Sequence, residues 1–167
     1  MIDSWAGAAA GAYMFSENTL YTYEAVRDYY EHLNDDGVLS ISRYYPWDEA
    51  LRIVNTYLSY LSDLGVQDPQ KQILVVVEPH RVYRRATLLL RKGPFSAEEV
   101  RTVAELAGRN GYTVLYAPHA VPAQIQEGRP AAEFFREVVL ATPDERAKLL
   151  GSYRRDVTPS TDDRPFF

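Results

Sequence analysis

The spacing of hydrophobic and polar positions changes several times along the chain, and each change marks an element. Val26, Tyr29, Tyr30 and Leu33 recur at i, i+3, i+4 and i+7 behind Thr22, which predicts a helix face preceded by an N-cap. Asp35-Asp36-Gly37 stops that helix, with Gly37 suited to the left-handed C′ position. Residues 38–42 read as a short strand. Pro46 precedes a long helix over residues 47–64, whose apolar stripe is Leu51, Val54, Leu58 and Leu61 and whose end is Gly65. The run ILVVV, residues 73–77, is the pattern of a strand buried on both faces. Glu78-Pro79-His80 interrupts it, and residues 86–90 supply another strand. The interval is too short for a helical crossover, so these two strands are expected to pair antiparallel.

Further along, Ser96-Ala97-Glu98-Glu99 is a capping box, and Val100, Val103, Ala104 and Ala107 form the inner face of the helix it opens. Gly111 ends that helix and residues 113–117 read as one more strand. Residues 118–129 turn to Pro, Gly and Gln, the composition of an exposed loop. Pro130 starts a helix reaching about Leu140, and Thr142-Pro143-Asp144-Glu145 opens another. The closing residues 156–167, DVTPSTDDRPFF, have no periodicity and read as an extended tail. Helices alternate with strands, so the expected architecture is a single α/β domain over residues 1–167. Its sheet is expected to be mostly parallel, with an antiparallel strand pair near one edge.

Composition narrows the function. A net charge of −5 argues against a general nucleic-acid binder, because phosphate neutralisation needs a surplus of Lys and Arg. With no cysteine, disulfides, thiolate metal sites and cysteine nucleophiles are excluded, and a reducing, cytoplasmic setting fits. No stretch approaches the roughly 20 apolar residues of a membrane span.

Chemistry-bearing patterns are few. Glycine fingerprints, phosphate loops, HExxH and GxSxG are all absent. His32, His80 and His119 stand on different elements without ligand spacing, so no metal site is expected. Asp35-Asp36 reads as a solvated turn. Asp3 comes just after the apparent tail of a strand, and the carboxyl ends of strands are where open α/β sheets place ligands. A carboxylate there is either a general base towards an amine, a holder of a cationic substrate, or the N-cap of the next segment. Glu17 and Asn18 line the same loop as substrate-binding candidates, or cap the turn into Leu20. The small residues 6–12, AGAAAGA, form a ligand-facing loop or a tightly packed segment. Asp162, Asp163 and Arg164 read as an ion cluster pinning the tail, with a catalytic role as the alternative.

Together IDSWAGAAAGA, SENTLYTYEAVRDYY, LNDDGVLSISR and the closing TPSTDDRPFF resemble the bacterial spermidine/spermine synthase-like proteins. These belong to the class I, Rossmann-like methyltransferase superfamily, and many are fused to membrane segments. The TDDRPFF ending is the most specific part. The resemblance implies transfer of an aminopropyl or methyl group from S-adenosylmethionine or its decarboxylated form to a small-molecule amine. It implies that Asp3 is the acidic residue after the fourth strand, which helps deprotonate the attacking amine.

Where the family has an acidic pair followed by proline, this chain has Asp3-Ser4-Trp5. The glycine-rich loop and ribose-holding acidic residue of the family have no counterpart here. The matching segments are those of its second half: strand five, the helix before it, and the antiparallel end of the sheet. The expectation is therefore a carboxyl-terminal half of such a domain, with no cofactor bound and no activity by itself. Its partner is either the missing amino-terminal half or a second copy joined through an open edge at residues 38–42. Membrane attachment would come only through a parent chain. A non-enzymatic binding or assembly module that keeps the fold is the alternative.

Overall fold

The computed structural model describes residues 18–45, 48–78, 84–119 and 130–165. Thr22 caps the first helix, its Oγ1 accepting the Ala25 N–H at 3.2 Å, and α1 runs Tyr23–His32. A turn closed by the Gly37 N–H on the Asn34 carbonyl (2.9 Å) leads into β1, Val38–Tyr45. α2 spans Asp48–Asp63 and is followed by β2, Ile73–Val77, and β3, Arg84–Arg91. α3 (Ala97–Arg109), β4 (Thr113–Tyr116), α4 (Pro130–Leu140) and α5 (Pro143–Gly151) complete the elements.

The four strands form one sheet in the order β1-β3-β2-β4, and every neighbouring pair is antiparallel. The expected mostly parallel sheet is therefore wrong, although the crossovers behave in part as their lengths require. β1 and β2 are both antiparallel to β3, so the two strands joined by α2 do run in the same direction. β3 and β4, joined by α3, are likewise codirectional, both being antiparallel to β2. The crossovers interleave: β3 inserts between β1 and β2, and β2 lies between β3 and β4. Each helix thus straddles one opposed strand, and no parallel pair comes into contact.

Two cores flank the sheet. On one side α1, α2 and α4 pack over Ile41, Ile73, Val75, Val77, Ala86, Leu88 and Leu90. α2 is the keel of this layer, with Val54, Leu58 and Leu61 all 0% exposed. On the other side α3 covers only the β2/β4 half, through Leu74, Phe95, Val100, Ala107 and Val114. An irregularity between Val75 and Val76 leaves Leu115 as an extra residue on β4, so that Leu115 and Tyr116 both join the larger core. On β1, Ser40 and Ser42 face away from α2 and are exposed.

Helix ends obey their local signals with one exception. Gly65 has φ 74° and ends α2 in a Schellman arrangement, with the Val66 N–H on the Leu61 carbonyl (3.0 Å) and the Gly65 N–H on that of Ser62 (2.9 Å). Gly37 does not play that part for α1. It is absent from the left-handed glycines, and the cap is Leu33 in extended conformation. The position requires space instead: a Cβ there would meet the Asn34 carbonyl oxygen at 3.0 Å and its nitrogen at 3.1 Å. The end of α1 is closed from far away by Lys92, whose Nζ donates to the carbonyls of Leu33 (2.6 Å) and Glu31 (3.1 Å).

Candidate functional site

The sheet register brings the carboxyl ends of β1 and β2 to the same end as the start of β3, with Tyr45 opposite Arg84 and Val77 opposite Ala86. Charged side chains collect there. Arg43 continues the inward-facing alternation of Leu39 and Ile41, but at the strand's end it reaches past the core. Its guanidinium lies 4.0 Å from the centre of the Tyr21 ring, and its Nε is 3.7 Å from Glu49 Oε2 in the first turn of α2. On the opposite face of the same end, Arg85 grips Glu78 with Nε at 3.1 and 3.2 Å from the two carboxylate oxygens and Nη2 at 3.0 Å. Arg84 Nε donates to the Glu78 carbonyl at 3.2 Å.

The start of α2 extends the cluster. Asp48 is buried, and its Oδ1 accepts the Tyr153 hydroxyl at 2.7 Å while Oδ2 lies 2.7 Å from Arg155 Nη1. Burial, reinforced by that bond to an anion, pushes the Tyr153 phenol upward. The Tyr153 ring stacks on Phe134 of α4 at 5.1 Å. One turn later, Arg52 donates to the Asp156 carbonyl and Asn55 Nδ2 donates to that of Val157 at 3.0 Å.

The tail returns to the head of α1. Asp162 Oδ1 lies 2.7 Å from Thr22 Oγ1, and its N–H donates to Glu24 Oε2 at 3.1 Å. The Tyr23 N–H donates to the Ser160 carbonyl at 2.7 Å. Arg164 Nη2 sits 4.0 Å from Asp156 Oδ2, and Thr161 and Arg164 form an isolated bridge. Asp162 thus turns to α1 and Arg164 to Asp156, rather than the two pairing with each other. Asp163 is exposed.

Of the residues expected from sequence, Asp3, Glu17, His80 and residues 6–12 lie outside the described residues. Asn18 opens the 3-10 turn Asn18–Tyr21, which Arg43 and Tyr29 hold, the latter donating its hydroxyl to the Leu20 carbonyl at 3.2 Å. His32 closes α1, its Nδ1 2.7 Å from the Asp28 carbonyl, and His119 comes after the edge strand β4 with φ 60°; both lie towards the end of the sheet away from the cluster. Among the described residues no group of three His, Cys, Asp or Glu could hold a metal ion. Sequence reading missed Arg43, Asp48, Glu49 and Tyr153. The available signal was a charge at an inward strand position, Arg43, with an acidic helical first turn close behind it.

This arrangement orients and fixes; it does not present a nucleophile beside a base. The charged groups at this end pair with one another: Arg43 with Glu49, Arg85 with Glu78 and Arg155 with Asp48. A separate shallow groove of about 520 Å³ is lined, among the described residues, by Glu137, Leu140, Ala141, Glu145, Lys148 and Leu149 of α4, α5 and the turn between them. No helix among the described residues is long and apolar enough to cross a membrane. No protein-family model, curated protein or solved structure matches the chain.

Proposed function

We propose that this chain is the carboxyl-terminal half of a spermidine synthase-like transferase domain, inactive by itself. The whole domain would transfer an aminopropyl or methyl group from an adenosyl donor to a small-molecule amine. The observation that carries this reading is the insertion of β3, antiparallel, between β1 and β2. The resemblance assigns these segments to strand five and the antiparallel end of such a sheet, and β3 here pairs antiparallel with both of its neighbours. In the whole domain Asp3 would act as base towards the amine, with Glu17 and Asn18 beside it. S-adenosylmethionine or its decarboxylated form would be held by the other half. The setting is cytoplasmic, with membrane attachment only through a parent chain.

Two measurements test this. Calorimetry of the chain against each donor is expected to give no binding heat, and micromolar affinity would overturn the half-domain reading. The DNA upstream of the Met1 codon is expected to encode a strand, a glycine-rich loop and an acidic residue in frame. An unrelated upstream sequence would favour the second reading, a binding or assembly module. The mutual pairing of Arg43 with Glu49 and of Arg85 with Glu78 supports that alternative, because such pairs stabilise a fold without presenting chemistry.

A further inference from the structure

We infer that the groove between the head of α1 and the first half of α2 is a docking seat for an extended acidic peptide. Its resident ligand is the chain's own tail, residues 156–164, which detaches and reseats as a unit. The inference does not depend on the transferase reading.

The seat recognises the tail through its backbone. Arg52 donates to the carbonyl of Asp156, Asn55 Nδ2 to that of Val157 (3.0 Å) and the Tyr23 N–H to that of Ser160 (2.7 Å). At the far end the Thr22 hydroxyl meets the Asp162 carboxylate at 2.7 Å, and that carboxylate lies at the amino terminus of α1, where negative charge is favoured. In these contacts the seat gives protons to the tail, and in one more the Asp162 N–H donates back to Glu24 Oε2 at 3.1 Å, so the tail is read mainly through its backbone as an extended peptide is. With the tail seated these donors are buried, Asn55 at 5% and Thr22 at 0% exposed. Val157, at 1% exposed, is the apolar anchor, and Ser160 the second buried point.

Between these anchors Thr158 is exposed, and beyond them Asp163 and Arg164 are exposed as well. The tail carries its own local bonds. The Asp156 carboxylate accepts the Thr158 N–H (2.9 Å) and hydroxyl (2.6 Å), and the Arg164 N–H returns to the Thr161 carbonyl (2.9 Å). Being internal to the segment, these bonds do not depend on the seat. A segment with two buried anchors on a fully packed helix opens more readily than the helix unfolds.

Hydrogen exchange on the full chain tests the inference. The Tyr23 amide and the tail amides are expected to exchange together, at least 100-fold faster than those at the centre of α2. Asp162→Ala is expected to speed that set by 10-fold or more and to leave the α2 centre unchanged. Asn55→Ala serves the same purpose if the first variant does not fold. A labelled peptide spanning residues 154–165 is expected to bind the Asp162→Ala protein and to be displaced by unlabelled peptide, but not by the same peptide carrying Asp162→Ala. The inference fails if tail and α2 amides exchange at one common rate, if the Tyr23 amide ignores the substitution, or if the peptide does not bind.

Discussion

At the scale of single residues the tyrosines carry the clearest physics. Tyr57 is 1% exposed, in the core under α2, and its hydroxyl donates to the Arg91 carbonyl at 2.6 Å at the end of β3. Tyr57→Phe keeps the ring and deletes the donor, leaving a part-buried carbonyl short of a partner. The expected cost is about 1–2 kcal/mol, read from urea unfolding. Burial also pushes the phenols of Tyr57 and Tyr116 upward, and burial with a bond to Asp63 (2.6 Å) raises that of Tyr23 to about 12 from 10.0. Below pH 10 these phenols are protonated in both folded and unfolded chains. Above it the unfolded chain releases protons that the folded chain keeps, so stability falls as pH rises from about 10 towards 12. Absorbance of tyrosinate measured against pH is expected to show an early fraction titrating near 10 and a late fraction appearing with unfolding. A single transition for all the tyrosines near 10 would contradict the burial described.

At the scale of elements, legibility in the sequence depends on where the stabilising group sits. The capping boxes of α3 and α5 were legible because both partners lie within four residues: Ser96 with Glu99, and Thr142 with Glu145. The end of α2 at Gly65 was legible for the same reason. The end of α1 was not, because Lys92 comes from another part of the chain and leaves Gly37 a purely steric role. Ser96→Ala is therefore expected to cost about 1 kcal/mol in urea unfolding at neutral pH. Backbone and hydroxyl bonds from Ser96, and Arg91 beside it, hold the Glu99 carboxyl below its usual value. The stability it contributes is present above the carboxylate range and is lost as pH falls through its lowered value, so the Ser96→Ala difference is expected to narrow in acid. Lys92→Met is expected to speed exchange in the last turn of α1 and leave its Thr22-capped start protected. Faster exchange at the start instead would show that Lys92 acts through packing rather than as a cap.

At the scale of the whole molecule, periodicity reports which face a residue turns to the core but not which strand lies beside it. That is why strand existence was readable and the interleaved order β1-β3-β2-β4 was not. One hint was present: β2 is apolar throughout, as a central strand should be, whereas β1 alternates with Ser40 and Ser42. The described cluster was not legible, since Arg43 and Asp48 are joined to their partners only by tertiary contact, and the expected Asp3 and Glu17 lie outside the described residues.

Among the described residues β1 ends the sheet, an eight-residue strand in unbroken register with β3. It carries no Pro, Gly or Lys, and its one charge, Arg43, turns towards Glu49. Such an edge lacks the usual devices against pairing with another chain. A two-fold axis through Ile41 would continue the sheet with both faces preserved and set Ser40 opposite the Ser42 of a second copy. Sedimentation over a wide concentration range is expected to show reversible dimers. The double change Ser40→Lys and Ser42→Lys is expected to abolish them without lowering Tm, because both side chains are exposed and like charges would face each other across the new pair. A monomer mass at all concentrations, or dimers indifferent to the lysines, would remove β1 as the interface. Were the proposed amino-terminal half to supply the strand beside β1, the protein fused to it would be monomeric through this edge.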